Sequence, residues 1–200
     1  LFYREGPALV TALKEQGFTV FLDLKLYDIP NTVQQATKNV ARLGVDYLTV
    51  HAAGGVRMLE AAKKGAQEGA DAVGVTAPKL LAITQLTSFS EEEMQTTQLV
   101  TVSMRESVSH LAQLAAQAGV AGTISSAFES ADIHANTPAG FLSITPGIRL
   151  AGDAVGDQSR VVTPARAAEM GADGIVVGRS ITQATDPVAA YQLIETEFNA

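Results

Sequence analysis

The sequence predicts an α/β fold of the (β/α)8-barrel type, and three observations predict it. Strand-like and helix-like segments alternate along nearly the whole chain; neither a glycine-rich dinucleotide fingerprint nor a P-loop is present; and polar residues gather just after the ends of strands. Regular alternation implies parallel pairing with right-handed crossovers, which leaves a doubly wound open sheet or a closed barrel. The absent fingerprints weigh against the open sheet. The polar clusters, near 23–32, 51–55, 87–88, 146–160 and 178–180, favour the barrel, because a barrel collects its strand ends into one mouth.

The elements follow in order. Residues 6–16 carry apolar side chains at helical spacing, and 19–26 (TVFLDLKL) read as a strand. A helix over 31–44 stops at Gly44, and a strand follows at 45–52. Residues 55–69 read as a helix and 79–86 as a strand. A polar stretch then leads to a helix over 102–119. A short strand at 120–126, a short helix at 127–137 and a strand at 140–148 come next. Thr163 as cap and Pro164 at the first position start a helix over 163–171. A strand at 171–178 precedes a closing helix at 186–198, which has the same cap-then-proline start.

Six strands, each followed by a helix, stand behind one helix that has no strand before it. Against the usual barrel this predicts that about one and a half strand–helix units are missing upstream. Without them, strands that should be buried would have unpaired edges, so a chain of these 200 residues alone is expected to fold poorly. No linker or low-complexity segment interrupts the chain, so residues 1–200 read as a single barrel domain, incomplete at its N-terminus.

Composition bounds the function. Hydrophobic residues make up 46% and charged residues 18%, an ordinary globular balance. The net charge of −7 argues against nucleic acid or an anionic membrane as partner, although a local basic group can still hold one small anion. The absence of cysteine excludes disulfides and thiolate metal sites. No apolar run approaches the ~20 residues of a membrane span, and cytoplasm is the default location.

The most informative stretch is TVFLDLKLYDIPNTV, residues 19–33. Alternation puts Leu22, Leu24 and Leu26 on one face of the strand, and Phe21, Asp23, Lys25 and Tyr27 on the other. The leucine face suits packing under helices; the charged face then points into the barrel near its mouth. Asp28 alone, ahead of Pro30, reads most simply as a helix cap. The Asp23–Lys25 pair is different. Buried charge is costly and apolar replacements are often as stable, so charge at a barrel mouth points to chemistry.

With that stretch, DLKLYDIPNT, the sequence resembles the bacterial orotidine 5'-phosphate decarboxylases. VHAAGG (50–55), AITQLTS (82–88), TPGIR (145–149), GDQSR (156–160) and IVVGRSIT (175–182) occur in that family's order. The resemblance covers essentially the whole chain; sister barrels share the Asp-x-Lys core, but the DIPNT continuation and the later blocks are more specific. It implies decarboxylation of orotidine monophosphate to UMP without metal or organic cofactor. In that case Lys25 is the proton donor at C6 of the pyrimidine, and Asp23 lies beside the departing carboxylate. Asp28 and Thr32 serve the active site of a partner subunit, so the resemblance also implies a homodimer. Thr87 contacts the pyrimidine, and Arg149, Gln158, Gly178 and Arg179 belong to the binding of substrate and its phosphate. Gly152 and Gly156 are flexible points of a closing loop.

The bland readings are a turn residue for Thr87, a solvated connection for 149–160 and an exposed loop arginine for Arg179. His51 is expected to orient its neighbours, His110 and His134 to be solvated, and the 61–69 helix face to be exposed. The family's first two strands also carry an aspartate and a lysine with no counterpart here. Two other functions compete: a metal-dependent barrel acting on keto-gulonate or hexulose phosphates, and a barrel that binds nucleotide without turnover.

Overall fold

The computed structural model describes residues 1–150 and 160–200. Its elements are α1 (Phe2–Glu5), α2 (Pro7–Glu15), β1 (Phe21–Leu26), α3 (Pro30–Ala41), β2 (Tyr47–His51), α4 (Gly55–Asp71) and β3 (Lys79–Ile83). These are followed by α5 (Glu91–Gln98), α6 (Met104–Gln117), β4 (Gly122–Ile124), α7 (Ser130–Asn136) and β5 (Leu142–Thr145). The chain closes with α8 (Pro164–Glu169), β6 (Gly174–Ile175), α9 (Arg179–Thr182) and α10 (Pro187–Phe198). None of the described helices is long and apolar enough to cross a membrane. All six predicted strands are present, each shorter than its apolar run.

Two units make up the described chain: Leu1–Ile83 with Leu114–Gly122, and Thr84–Gln113 with the described part of Thr123–Ala200. In the first, β1, β2 and β3 lie side by side in chain order, all parallel. β2 is buried along its centre, as a parallel strand covered on both faces must be, and it pairs with β3 without interruption from Tyr47↔Lys79 to His51↔Ile83. Leu48, Val50, Leu59, Leu81 and Val33 form the core beneath.

The 61–69 helix face departs from expectation. Gly65 and Gly69 are not on an exposed surface but where α4 meets α3: a methyl group on Gly65 would lie 2.1 Å from the Gln34 carbonyl oxygen, and one on Gly69 2.1 Å from that of Lys38. Only the lack of a side chain lets the two backbones approach so closely. The Lys38 ammonium then reaches Glu68 at 3.1 Å and holds that carboxyl below its usual range. On the other flank Asp46 accepts from Lys14 at 2.6 Å and from the Val20 N–H at 2.7 Å, tying α2 and the entrance of β1 to the start of β2.

In the second unit β4, β5 and β6 follow in order, with β5 and β6 in parallel register at Ile144↔Gly174 and Thr145↔Ile175. Ala127, Ile148, Ala167 and Ala172 pack together beneath Val162, Met170 and Phe198. The Thr163 cap is realised, its hydroxyl accepting from the Arg166 N–H, and Asp186 caps α10 through the N–H groups of Val188 and Ala189. The polar stretch before 102 holds a helix that the apolar pattern does not announce. Ser90 and Glu93 form a capping box at the start of α5: the serine hydroxyl accepts from the Glu93 N–H while the glutamate accepts from the Ser90 N–H. Glu91 also accepts from the Met104 N–H at 2.7 Å, which anchors the next helix.

Candidate active site

β1 carries the charge array, and its geometry comes from a break in register. Leu22 pairs with Leu48 and Leu26 with Val50, so β1 advances four residues while β2 advances two. The surplus is a bulge over Asp23, Leu24 and Lys25. Bulges turn side chains out of the regular pleat and cluster beside functional sites. Lys25 carries the strain of it: its φ is +52°, the left-handed region that a residue with a side chain enters against steric resistance. The side chains still alternate, Leu22 buried and Phe21, Asp23 and Lys25 exposed.

The Lys25 ammonium is in direct contact with Asp23 Oδ2. Both side chains are more exposed than the expected buried pair, 43% for Lys25 and 46% for Asp23. The cost of burial therefore does not explain their placement; the backbone does. Thr49, wholly buried in the middle of β2, donates to Asp23 Oδ1 at 2.8 Å and accepts from the Lys25 N–H at 2.9 Å. His51 sits two residues further along the same face, its ring 5.4 Å from that of Tyr27. Burial holds its imidazole below the ordinary histidine range and the nearby Lys25 charge does the same, against a smaller opposing pull from Asp23. His51 is therefore poised neutral beside the array. Asp28 and Thr32 are exposed. Asp28 does not cap the helix: it accepts from the Ile29 N–H at 2.6 Å, Ile29 is the cap position, and Pro30 opens α3.

In the second unit, Thr87 is buried in a turn after β3. Arg149 follows the TPGI turn. Its backbone N–H bonds to the Val162 carbonyl at 3.0 Å and its guanidinium donates to the Ile148 carbonyl at 2.8 Å. Gly178 precedes α9, its carbonyl accepting from the N–H groups of Ile181 and Thr182, and Arg179 is exposed at the first position. Gln158, with Gly152 and Gly156, lies outside the described residues. His134 is exposed but not merely solvated, as its Nε2 lies 3.0 Å from the Gly171 carbonyl oxygen and 3.2 Å from Asp173.

Two groups escape a reading of the sequence alone. Thr49 reads as an ordinary β-branched strand residue; a hydroxyl on the inner face of a strand next to a charged one is the available signal. Glu129 and Arg160 form a largely buried ion pair, with the guanidinium 5.7 Å from the Phe128 ring and its pKa lowered by burial. They lie 31 positions apart, and no local pattern joins them. Glu129 also lines a pocket of about 390 Å3 with Phe89, Ser90, Met104 and Arg160.

Residues 1–194 match the family described as Orotidine 5'-phosphate decarboxylase / HUMPS family. The chain is 56% identical over 200 residues to a protein of Cutibacterium acnes named orotidine 5'-phosphate decarboxylase, covering 100% of this chain and 83% of that one. An Enterococcus faecalis protein of the same name is 56% identical over 199 residues, covering 100% and 84%. The crystal structure of orotidine 5'-phosphate decarboxylase from Lactobacillus acidophilus superimposes with a TM-score of 0.88 at 45% identity, covering 100% of this chain and 84% of that one. The six strands of the described residues, with their intervening helices, form part of a (β/α)8 barrel, the incomplete α/β barrel expected from the alternation.

Proposed function

Because the chain belongs to the orotidine 5'-phosphate decarboxylase / HUMPS family, we propose that it removes the carboxylate of orotidine 5'-phosphate to give UMP, a step of pyrimidine nucleotide synthesis. The observation that carries this reading is the Asp23–Lys25 contact on a bulged, strained strand. Breaking the C6–carboxylate bond leaves an electron pair at C6 that the ring delocalises poorly. A fixed ammonium stabilises that pair as it forms, with little reorganisation. Lys25 then gives its proton to C6, carbon dioxide leaves, and the neutral amine regains a proton from solvent. Asp23 aims the ammonium and lies beside the departing carboxylate. No cofactor takes part in this scheme.

The remaining residues take supporting roles. Thr87 contacts the pyrimidine, and Arg149, Gln158, Gly178 and Arg179 bind substrate and phosphate; arginine suits phosphate because its donors match two oxygens at once. Asp28 and Thr32 complete the active site of a second copy in a homodimer, and their exposure supports that role. Residues 1–200 act as one barrel domain in the cytoplasm, with a nucleotide as partner and neither nucleic acid nor membrane.

The test is loss of orotate absorbance when the purified protein meets orotidine monophosphate in the presence of a metal chelator. Turnover under chelation is expected. No turnover, with metal-dependent reaction of a keto-sugar phosphate instead, overturns the reading in favour of the sister activity. Tight UMP binding with no reaction overturns it in favour of a binding protein.

A further inference from the structure

We propose that Thr49 is the positioning residue that holds Lys25 and Asp23 in their working geometry. This rests on the decarboxylase reading for its catalytic consequence, but its structural content stands alone. Thr49 is the β2 residue opposite the bulge: its neighbours Leu48 and Val50 pair with Leu22 and Leu26, and everything between those two on β1 must be accommodated across from it. The Val20 carbonyl accepts from the Tyr47 N–H, so in a regular parallel pair the even-numbered residues of β1 would face β2 and the Lys25 N–H would point away from it. Here it donates to the Thr49 hydroxyl at 2.9 Å. The same hydroxyl donates onward to Asp23 Oδ1 at 2.8 Å, and Asp23 Oδ2 takes the Lys25 ammonium.

The result is a closed circuit: Lys25 backbone, Thr49 hydroxyl, Asp23 carboxylate, Lys25 side chain. One oxygen thus fixes the lysine at both ends, its main chain directly and its ammonium through the aspartate. The left-handed backbone at Lys25 persists only if its surroundings compensate, and the Thr49 hydroxyl is the group that receives its N–H. The position demands a group that donates and accepts at once on a stiff side chain. Threonine has both properties: a hydroxyl, and a β-branch that restricts χ1. Thr49 is wholly buried, so it touches the pair and not bulk water.

The role separates from a general contribution to folding by substitution. Thr49→Val keeps the shape and the strand preference but has neither donor nor acceptor; Thr49→Ser keeps both. In Thr49→Val, kcat for orotidine monophosphate is expected to fall by about 10- to 100-fold, the scale of a misplaced reacting group, with KM changed less than about 3-fold. Thr49→Ser should recover kcat to within about 3-fold of the parent, since the circuit reforms. Independently of any reaction, exchange of the Lys25 amide proton, read by NMR, should be at least about 10-fold faster in Thr49→Val and restored in Thr49→Ser. Thr49→Ala serves for the same readouts should the valine variant not fold.

A parent-like kcat in a hydroxyl-free variant, a serine variant as slow as the valine one, or unchanged exchange at Lys25 each overturns the proposal. If the parent protein leaves orotidine monophosphate untouched, the decarboxylase reading falls; amide exchange then decides alone whether Thr49 holds the pair.

Discussion

In the first unit the charged side chains of β1 are mutually satisfied. In the second, buried oxygens remain without hydrogen-bond partners among the described residues: Ser126 Oγ, Glu129 Oε2 and Thr145 Oγ1. Asp23, Lys25 and Thr49 use one another's donors and acceptors within a circuit spanning two strands. Elsewhere in the second unit, Ser125, Ser130 and Ser143 do bond together, so polarity as such is not the difference. An unpaired buried hydroxyl or carboxylate oxygen costs stability and is rare unless something else uses it. The difference fits the division of tasks proposed above: a reagent fixed before the substrate arrives closes its hydrogen bonds on itself, whereas a binding surface keeps hydrogen-bonding capacity in reserve.

Removing the reagent tests that contrast most severely. Lys25→Ala takes away both the proton and the pre-placed charge, so kcat should fall by about 10^3-fold or more. Affinity for UMP should stay within about 10-fold, because the residues proposed to hold the phosphate are untouched. Steady-state kinetics and calorimetric UMP titration read the two quantities. Near-normal turnover would remove Lys25 from the mechanism and with it the idea that β1 is the reagent half.

Arg179→Ala should do the reverse. Losing a charge-assisted contact of roughly 1.5–3 kcal/mol raises KM by about 10- to 100-fold, with a smaller effect on kcat. An unchanged KM would deny Arg179 its phosphate role and leave its exposure as that of an ordinary surface arginine.

The legible parts of the molecule are those written in short-range patterns. Strand–helix alternation carries the fold class, and period-two spacing puts Asp23 and Lys25 on one face, away from buried Leu22, as the structure has them. The Thr163 and Asp186 caps follow from the residue before a proline. The bulge does not, because register belongs to two strands at once and nothing in FLDLKL says how TVH will pair with it. Thr49 is hidden for the same reason. The helix Glu91–Gln98 escapes the apolar pattern because its polar sequence has a single buried residue, Met94, although Ser90 and Glu93 at capping-box spacing announce its start. The close approach at Gly65 and Gly69 reads as exposure, since small residues on a polar helix look the same in sequence whether they face water or another backbone.

The smallest expected effect sharpens the comparison furthest. Thr145→Val swaps a buried hydroxyl, unpartnered among the described residues, for a methyl group of the same shape at the end of β5. Nothing is left unpaired by the change, so stability should stay level or rise by up to about 1 kcal/mol in urea unfolding. Thr49→Val is the same chemical change in the other unit, yet it strands the Lys25 N–H and Asp23 Oδ1 together. There the expected loss is about 0.5–1.5 kcal/mol, the net worth of a typical hydrogen bond, because the exposed Asp23 carboxylate can turn to water. Equal losses in the two variants would mean that the Thr145 hydroxyl is held as firmly as that of Thr49, and that the second unit is as self-satisfied as the first. A gap between them, with KM rising in Thr145→Val while its stability holds, would locate the reserved hydrogen-bonding capacity in substrate binding.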